Sequence, residues 1–146
     1  MTGKIKYLLI GLIFLAGVLR PNAAQNSPQS DIKNTIVKLL NYSKSKAYDK
    51  AALLIAYDGE DKTRILKDSF NPVNKDELTE VKRKCKKISA LLDLSSNYEI
   101  GTLIVPASES KDAFTLNVVF ISGEQKLTTS FNFIKSEKGY LLANMN

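Results

Sequence analysis

The chain has no histidine and no tryptophan, a single cysteine (Cys85), four prolines and seven glycines in 146 residues. Each shortage closes a class of chemistry. Without histidine there is no Ser-His-Asp or Cys-His nucleophile system, and the commonest transition-metal ligand is missing. With one thiol besides, a zinc site would have to be built from carboxylates alone, so neither a metal nor any other cofactor is expected. One cysteine cannot close an intramolecular disulfide, and stability must come from packing whatever the redox compartment.

The longest uncharged run lies near the N-terminus. Met1 to Lys6 is a short basic segment, and Tyr7 to Leu19 (YLLIGLIFLAGVL) is uncharged throughout. That length matches the ~7–15 residues of a signal-peptide core and falls short of the ~18 expected of a membrane span. Arg20 and Pro21 end the run, and Asn22-Ala23-Ala24-Gln25 offers small residues to a signal peptidase. Residues 1–24 therefore read as a signal peptide cut after Ala24, which places the protein in the periplasm or outside the cell and leaves no stable membrane span after cleavage. Lys4, Lys6 and Arg20 belong to this segment and carry half of the formal charge of +6, so the remainder is only mildly basic at +3. The case for a nucleic-acid partner weakens accordingly.

Residues 25–30 (QNSPQS) are polar and read as a disordered leader, and 31–146 as one domain of ordinary size. Ser30 or Asp31 can cap a first helix whose apolar stripe is Ile32, Ile36, Leu39 and Leu40. AYDKAALLIAY, from Ala47 to Tyr57, predicts a second, buried helix ended by Asp58-Gly59, with a short polar helical turn at Thr63 to Ser69 after it. Asn74 with Glu77 three residues on predicts a capping box opening a third helix, whose stripe is Leu78, Val81, Cys85, Ile88, Leu91 and Leu92. From Tyr98 onward the period becomes two. Strands are expected at Tyr98–Val105, Ala113–Ser122, Lys126–Ile134 and Tyr140–Met145, with tight turns at Ser122-Gly123 and Lys138-Gly139. Helices first and strands after them give an α+β fold, an antiparallel meander of about four strands closed on one face by the helices.

Several constellations invite a functional reading. VKRKCKK (81–87) presents Lys82, Arg83, Lys84, Lys86 and Lys87 to an anionic surface, although Val81 and Cys85 lie on the apolar stripe and make these cations the solvated faces of a helix. The lysines beside Cys85 would lower its pKa if it were exposed, but its register argues for a small buried hydrophobe. Asp58, Glu60 and Asp61 lack the remaining positions of a calcium loop. Asp61, Arg64 and Asp68 form a polar cluster in which Arg64 and Asp68 stand four apart, the spacing of a local ion pair. Ser108 and Ser110 have no base, so a serine nucleophile is not supported and no catalytic residue is assigned. Tyr57, Tyr98, Phe114 and Phe131 are the aromatic residues expected to line an apolar ligand site, although aromatics on strands belong first of all to the core.

AALLIAYDGEDKTRILKDSFNP, ELTEVKRKCKKISALL and LTTSFNFIKSEKGYLLANM, taken in that order, resemble the nuclear transport factor 2-like, cystatin-related superfamily in its small exported bacterial form. Lys138-Gly139-Tyr140-Leu141-Leu142 is the most telling piece, a Gly followed by an aromatic and a final strand. The resemblance implies a curved sheet wrapped by helices into a cone-like shape, with a pocket used for catalysis, ligand binding or pairing with a second subunit, a homodimer included. Members resembling steroid isomerases or dehydratases place Asp, His or Tyr groups inside that cone, and this chain has no His. The expected function is therefore an exported, non-enzymatic domain that binds a small apolar ligand or a protein partner through the concave sheet face. The alternatives are a cone-pocket isomerase or dehydratase using Tyr and Asp, and anionic-surface binding through the basic helix.

Overall fold

The computed structural model describes residues 27–106 and 112–146. The expected signal segment, and Ser108 and Ser110, lie outside the described residues. Helix α1 runs Pro28–Ser45. It starts inside the segment expected as a leader because Ser27 caps it, its hydroxyl accepting from the Ser30 N–H at 3.3 Å, and Pro28 supplies a preset helical φ at the first position. Lys46, in the left-handed region at φ 59°, ends it. Ile32, Ile36, Leu39 and Leu40 are buried, as the spacing predicts.

The second helix is much shorter than its propensity suggests. Helix α2 spans only Tyr48–Ala52. Beyond it the backbone straightens, because two tertiary partners offer hydrogen bonds that a helix would forfeit. The Ala56 N–H donates to Leu142 O (2.8 Å) and the Leu142 N–H to Leu54 O (2.9 Å), while the Tyr57 N–H donates to Asp68 O and the Phe70 N–H to Ile55 O. Ile55 thus bridges Leu142 in parallel and Ala56 bridges Ser69 antiparallel. The expected helical turn at 63–69 is a run of turns instead, broken by Leu66 at φ 57°, whose N–H donates to Tyr57 O.

Helix α3, Lys75–Asp93, begins as expected, with Asn74 Oδ1 accepting from the Asp76 (3.0 Å) and Glu77 (3.2 Å) N–H groups. Glu77 does not complete a capping box. Its carboxylate faces backwards to the Asn71 N–H and to Arg64. Val81, Cys85 and Ile88 are fully buried, while Leu78, Leu91 and Leu92 are half-buried.

Four strands follow, β1 (Asn97–Ile104), β2 (Ala113–Ser122), β3 (Gln125–Ser136) and β4 (Gly139–Met145), paired antiparallel in chain order. Gly123 (φ 59°) and Gly139 (φ 116°) supply the positive φ of the two tight turns. Phe114, Leu116, Val118 and Phe120 of β2 and Thr129, Phe131 and Phe133 of β3 form the buried face. Helix α1 lies against it, touching β1 and β4, and holds α2 and α3 on its other flanks. The outer face is polar, with Thr115 Oγ1 bonded to Asn132 (2.7 Å) and Ser130 Oγ to Asn117 (2.8 Å) across β2 and β3.

The α+β architecture agrees with expectation, but the cone does not. The sheet is open. β1 and β4 are its edges, no pairing joins them, and the strands neither close nor strongly curl. The physical reason is the meander itself, since closure needs first and last strands to meet. Here the far side of β4 is taken by the extended 54–57 segment instead.

Candidate functional site

The four aromatic residues expected at a ligand site belong to the packed core, Tyr57, Phe114 and Phe131 within one buried cluster and Tyr98 against it. Phe131 is fully buried in the core, and Phe114 packs edge-on against Tyr140 at 5.3 Å between centroids. Tyr98 is half-buried beside Phe120 (6.4 Å). Tyr57 stands edge-on to Phe70 at 5.4 Å. The buried sheet face on which three of the four stand is filled by helix side chains.

The polar cluster does assemble, with one member that sequence spacing did not reveal. The Arg64 guanidinium donates to both Glu77 oxygens (Nη1 2.9 Å, Nη2 3.2 Å) and to Ser69 O (3.1 Å), lies 3.8 Å from Asp68, and stacks on the Tyr57 ring at 4.1 Å. Asp61 turns back on its own loop, accepting from the Thr63 N–H and hydroxyl. The Arg64 hydrogen bond holds the Glu77 carboxyl below its ordinary value, and the Ser69 N–H does the same for Asp68. Lys138 lies 3.5 Å from Asp68 and joins the β3–β4 turn to this cluster. Arg64 is shared between Glu77 and Asp68, and Asp68 also meets Lys138, so the arrangement fastens the 58–70 segment to α3 and to the β3–β4 turn. Glu77 was assigned to a capping box, so its thirteen-residue reach to Arg64 had no local signal.

The basic face of α3 is likewise partly engaged. Lys84 pairs with Asp58 at 2.6 Å, Arg83 pairs with Glu80, and Lys82 sits over the Tyr48 ring at 5.9 Å. Cys85 is fully buried beside Ser43, and burial pushes its thiol pKa up.

An apolar groove of about 650 Å³ opens where the helical layer stops. Leu91, Leu94 and Ser95, at the end of α3, form one side, and Phe120 and Ser122 of β2 with Gln125, Lys126 and Leu127 of β3 form the other. Phe120 and Leu127 are cross-strand partners on the inner face. Leu94 is 75% exposed and Leu127 55%. Leu127 carries the inward phase of the β3 alternation but stays uncovered because no helix reaches it. The groove volume falls within the ~300–1,000 Å³ of ordinary ligand sites.

Comparison with protein-family models gives no match, and no curated protein matches the chain. Among solved structures it is similar to a Campylobacter jejuni protein whose description provisionally names it an NTF2-like transpeptidase, with a TM-score of 0.51 and 9% identity over 79% of this chain and 99% of that one. The fold is NTF2-like. At this identity the likeness concerns architecture and carries no activity with it. An NTF2-like fold is compatible with binding a ligand or a partner on its helix-facing side. Among the described residues no helix is long and apolar enough to cross a membrane, and no group of three or more acidic or cysteine side chains is placed to hold a metal.

Proposed function

We propose that this domain is a binding module, and that its contact site is the groove between the end of α3 and the β2–β3 hairpin. The observation that carries the reading is the pair Leu94 and Leu127, large apolar side chains left mostly in water on facing walls of a groove that also takes in Phe120. Full burial of a leucine is worth about 1.5–3 kcal/mol, and a ligand or partner covering both recovers what folding left unused. The accessible part of the inner sheet face is thus its end, since the middle is packed with helix side chains.

Transpeptidation, the activity in the Campylobacter jejuni protein's description, needs a nucleophile to carry the acyl group. The one thiol of this chain is buried, and no histidine stands ready to activate a hydroxyl. Binding of an apolar ligand, or of apolar side chains from a protein partner, asks for none of these groups.

Titration with the uncharged fluorescent dye N-phenyl-1-naphthylamine tests the reading. The protein is expected to bind it, and Leu94→Asp and Leu127→Asp are each expected to weaken binding about tenfold or more, the equivalent of losing one leucine contact. Equal binding by both variants and the parent would refute it. We take the domain to act outside the cytoplasm, with residues 1–24 as its address. An exported protein beginning at Gln25 on N-terminal sequencing supports this, and a chain kept in the cytoplasm with Met1 intact overturns it.

A further inference from the structure

β3 is longer than the strand beside it. β4 pairs with β3 from Ser136 back to Phe131, and the last cross-strand bonds are the reciprocal pair between Ser130 and Asn146, at 2.9 and 3.0 Å. Gln125 to Thr129 continue past that point, paired with β2 on one side and with no described residue on the other. In an antiparallel strand the N–H and C=O of one residue face the same neighbour, and successive residues alternate. Ser130 faces the β4 side, so Thr128 and Lys126 do too. Their backbone donors and acceptors have no hydrogen-bond partner among the described residues, and residues 125–128 are all exposed.

This open edge lies on the rim of the apolar groove. Leu127, between the two open residues, turns its side chain inward to the groove, while Lys126 pairs with Ile121 in the outward phase of the strand, adds to the groove's rim and makes no ion pair with a described residue. A second extended segment laid along Lys126–Thr128 would find backbone partners, an apolar well on the inner side and a cation on the outer side.

We infer that this site takes an extended segment of a protein partner by strand addition, antiparallel to β3, with an apolar residue entering the groove and an acidic residue beside Lys126. Main-chain hydrogen bonds supply affinity in this mode and the alternate side chains supply specificity. The inference rests on the groove being the contact site and names the chemistry of its occupant.

The probe is a fluorescein-labelled synthetic peptide alternating Val and Glu, blocked at both ends, with a Val/Lys counterpart and a form N-methylated at alternate amides. The Val/Glu peptide is expected to bind and to slow hydrogen exchange at the Lys126 and Thr128 amides, and N-methylation to weaken it about tenfold through lost backbone bonds. Thr128→Pro removes one donor from the open side only and is expected to cost about three- to tenfold. Lys126→Glu is expected to shift preference towards the Val/Lys peptide by about two- to fivefold. Undiminished binding of the N-methylated peptide to the parent protein, with the two amides unprotected, overturns strand addition without relying on any variant folding. Dye binding that depends on Leu127 with no peptide binding leaves the groove as a small-ligand site and also overturns it. A dimer that protects the same amides without peptide makes the occupant a second copy and overturns the partner. If Leu127→Asp alters neither dye nor peptide binding, the groove reading falls as well.

Discussion

Glu77→Gln removes the charge that ties the 58–70 segment to α3 while keeping the side chain's length. In the parent protein the carboxylate, whose side chain is 12% exposed, accepts from Arg64 Nη1 at 2.9 Å, from Nη2 at 3.2 Å and from the Asn71 N–H at 2.6 Å. Hydrogen bonds to a charged group contribute about 1.5–3 kcal/mol, against about 1 for neutral ones. The amide keeps one acceptor oxygen, and Arg64 keeps Asp68 and Ser69 O, so the loss is expected near 2 kcal/mol. In a domain of this size 1 kcal/mol moves Tm by about 3–5 °C, which puts the variant roughly 6–10 °C below the parent at pH 7 in thermal unfolding followed by circular dichroism.

The pH dependence checks the cause. Pairing with Arg64 lowers the folded pKa of Glu77 below its ordinary value of 4.5, so its stabilisation is complete above about pH 4.5 and is lost as pH falls through the folded value. The gap between parent and variant should therefore narrow as the pH is lowered below 4.5. Asp61, lowered by its Thr63 hydrogen bonds, makes both proteins acid-sensitive alike, whereas Asp68 shares Arg64 with Glu77 and contributes to the difference between them. A gap below ~2 °C at pH 7, or one that does not narrow at all with acidification below pH 4.5, would show that Glu77 does not hold this segment through its charge.

Two further substitutions probe the packing. Ser43 is 1% exposed and its hydroxyl, whose polar neighbour is the buried Cys85 thiol, meets no oxygen or nitrogen partner among the described residues; a thiol is a weak partner, so Ser43→Ala is expected to raise stability by up to about 1 kcal/mol, read as a higher denaturant midpoint with unchanged m-value. An added Cβ at Gly59 would stand 2.5 Å from Tyr57 Oη and 2.6 Å from Cζ, and Tyr57 cannot yield because Phe70 and Arg64 hold its ring. Gly59→Ala is accordingly expected to cost about 1–3 kcal/mol, and a neutral result in the same unfolding assay would mean that the loop moves freely around Tyr57.

The strands and two of the helices were legible because their signals are local. Alternation of Phe131, Phe133 and their polar neighbours locates β3, and Asn74 followed by acidic residues locates the start of α3. What was not legible depends on partners distant in sequence. AYDKAALLIAY has every local reason to be helical, yet Leu54 to Tyr57 are drawn straight by Leu142 and by Asp68 to Phe70. The polar cluster was visible as Asp61, Arg64 and Asp68, but its principal carboxylate, Glu77, lies a loop and a cap away. The groove was missed for a related reason. Leu127 carries a core residue's pattern, and only the point at which the helical layer ends decides that it stays in water.

The Ile55–Leu142 bridge also dictates an order of events during synthesis. Sequential hairpins keep most pairings local and fast to form, but this clip spans the chain from its second helix to its last strand and cannot close until residue 142 has left the ribosome. Until then the partners outside the segment that compete for its backbone groups are those of Leu66 to Phe70. The Ile55–Leu142 bridge is therefore among the last contacts that synthesis allows to form, and it ties the start of the domain to its end.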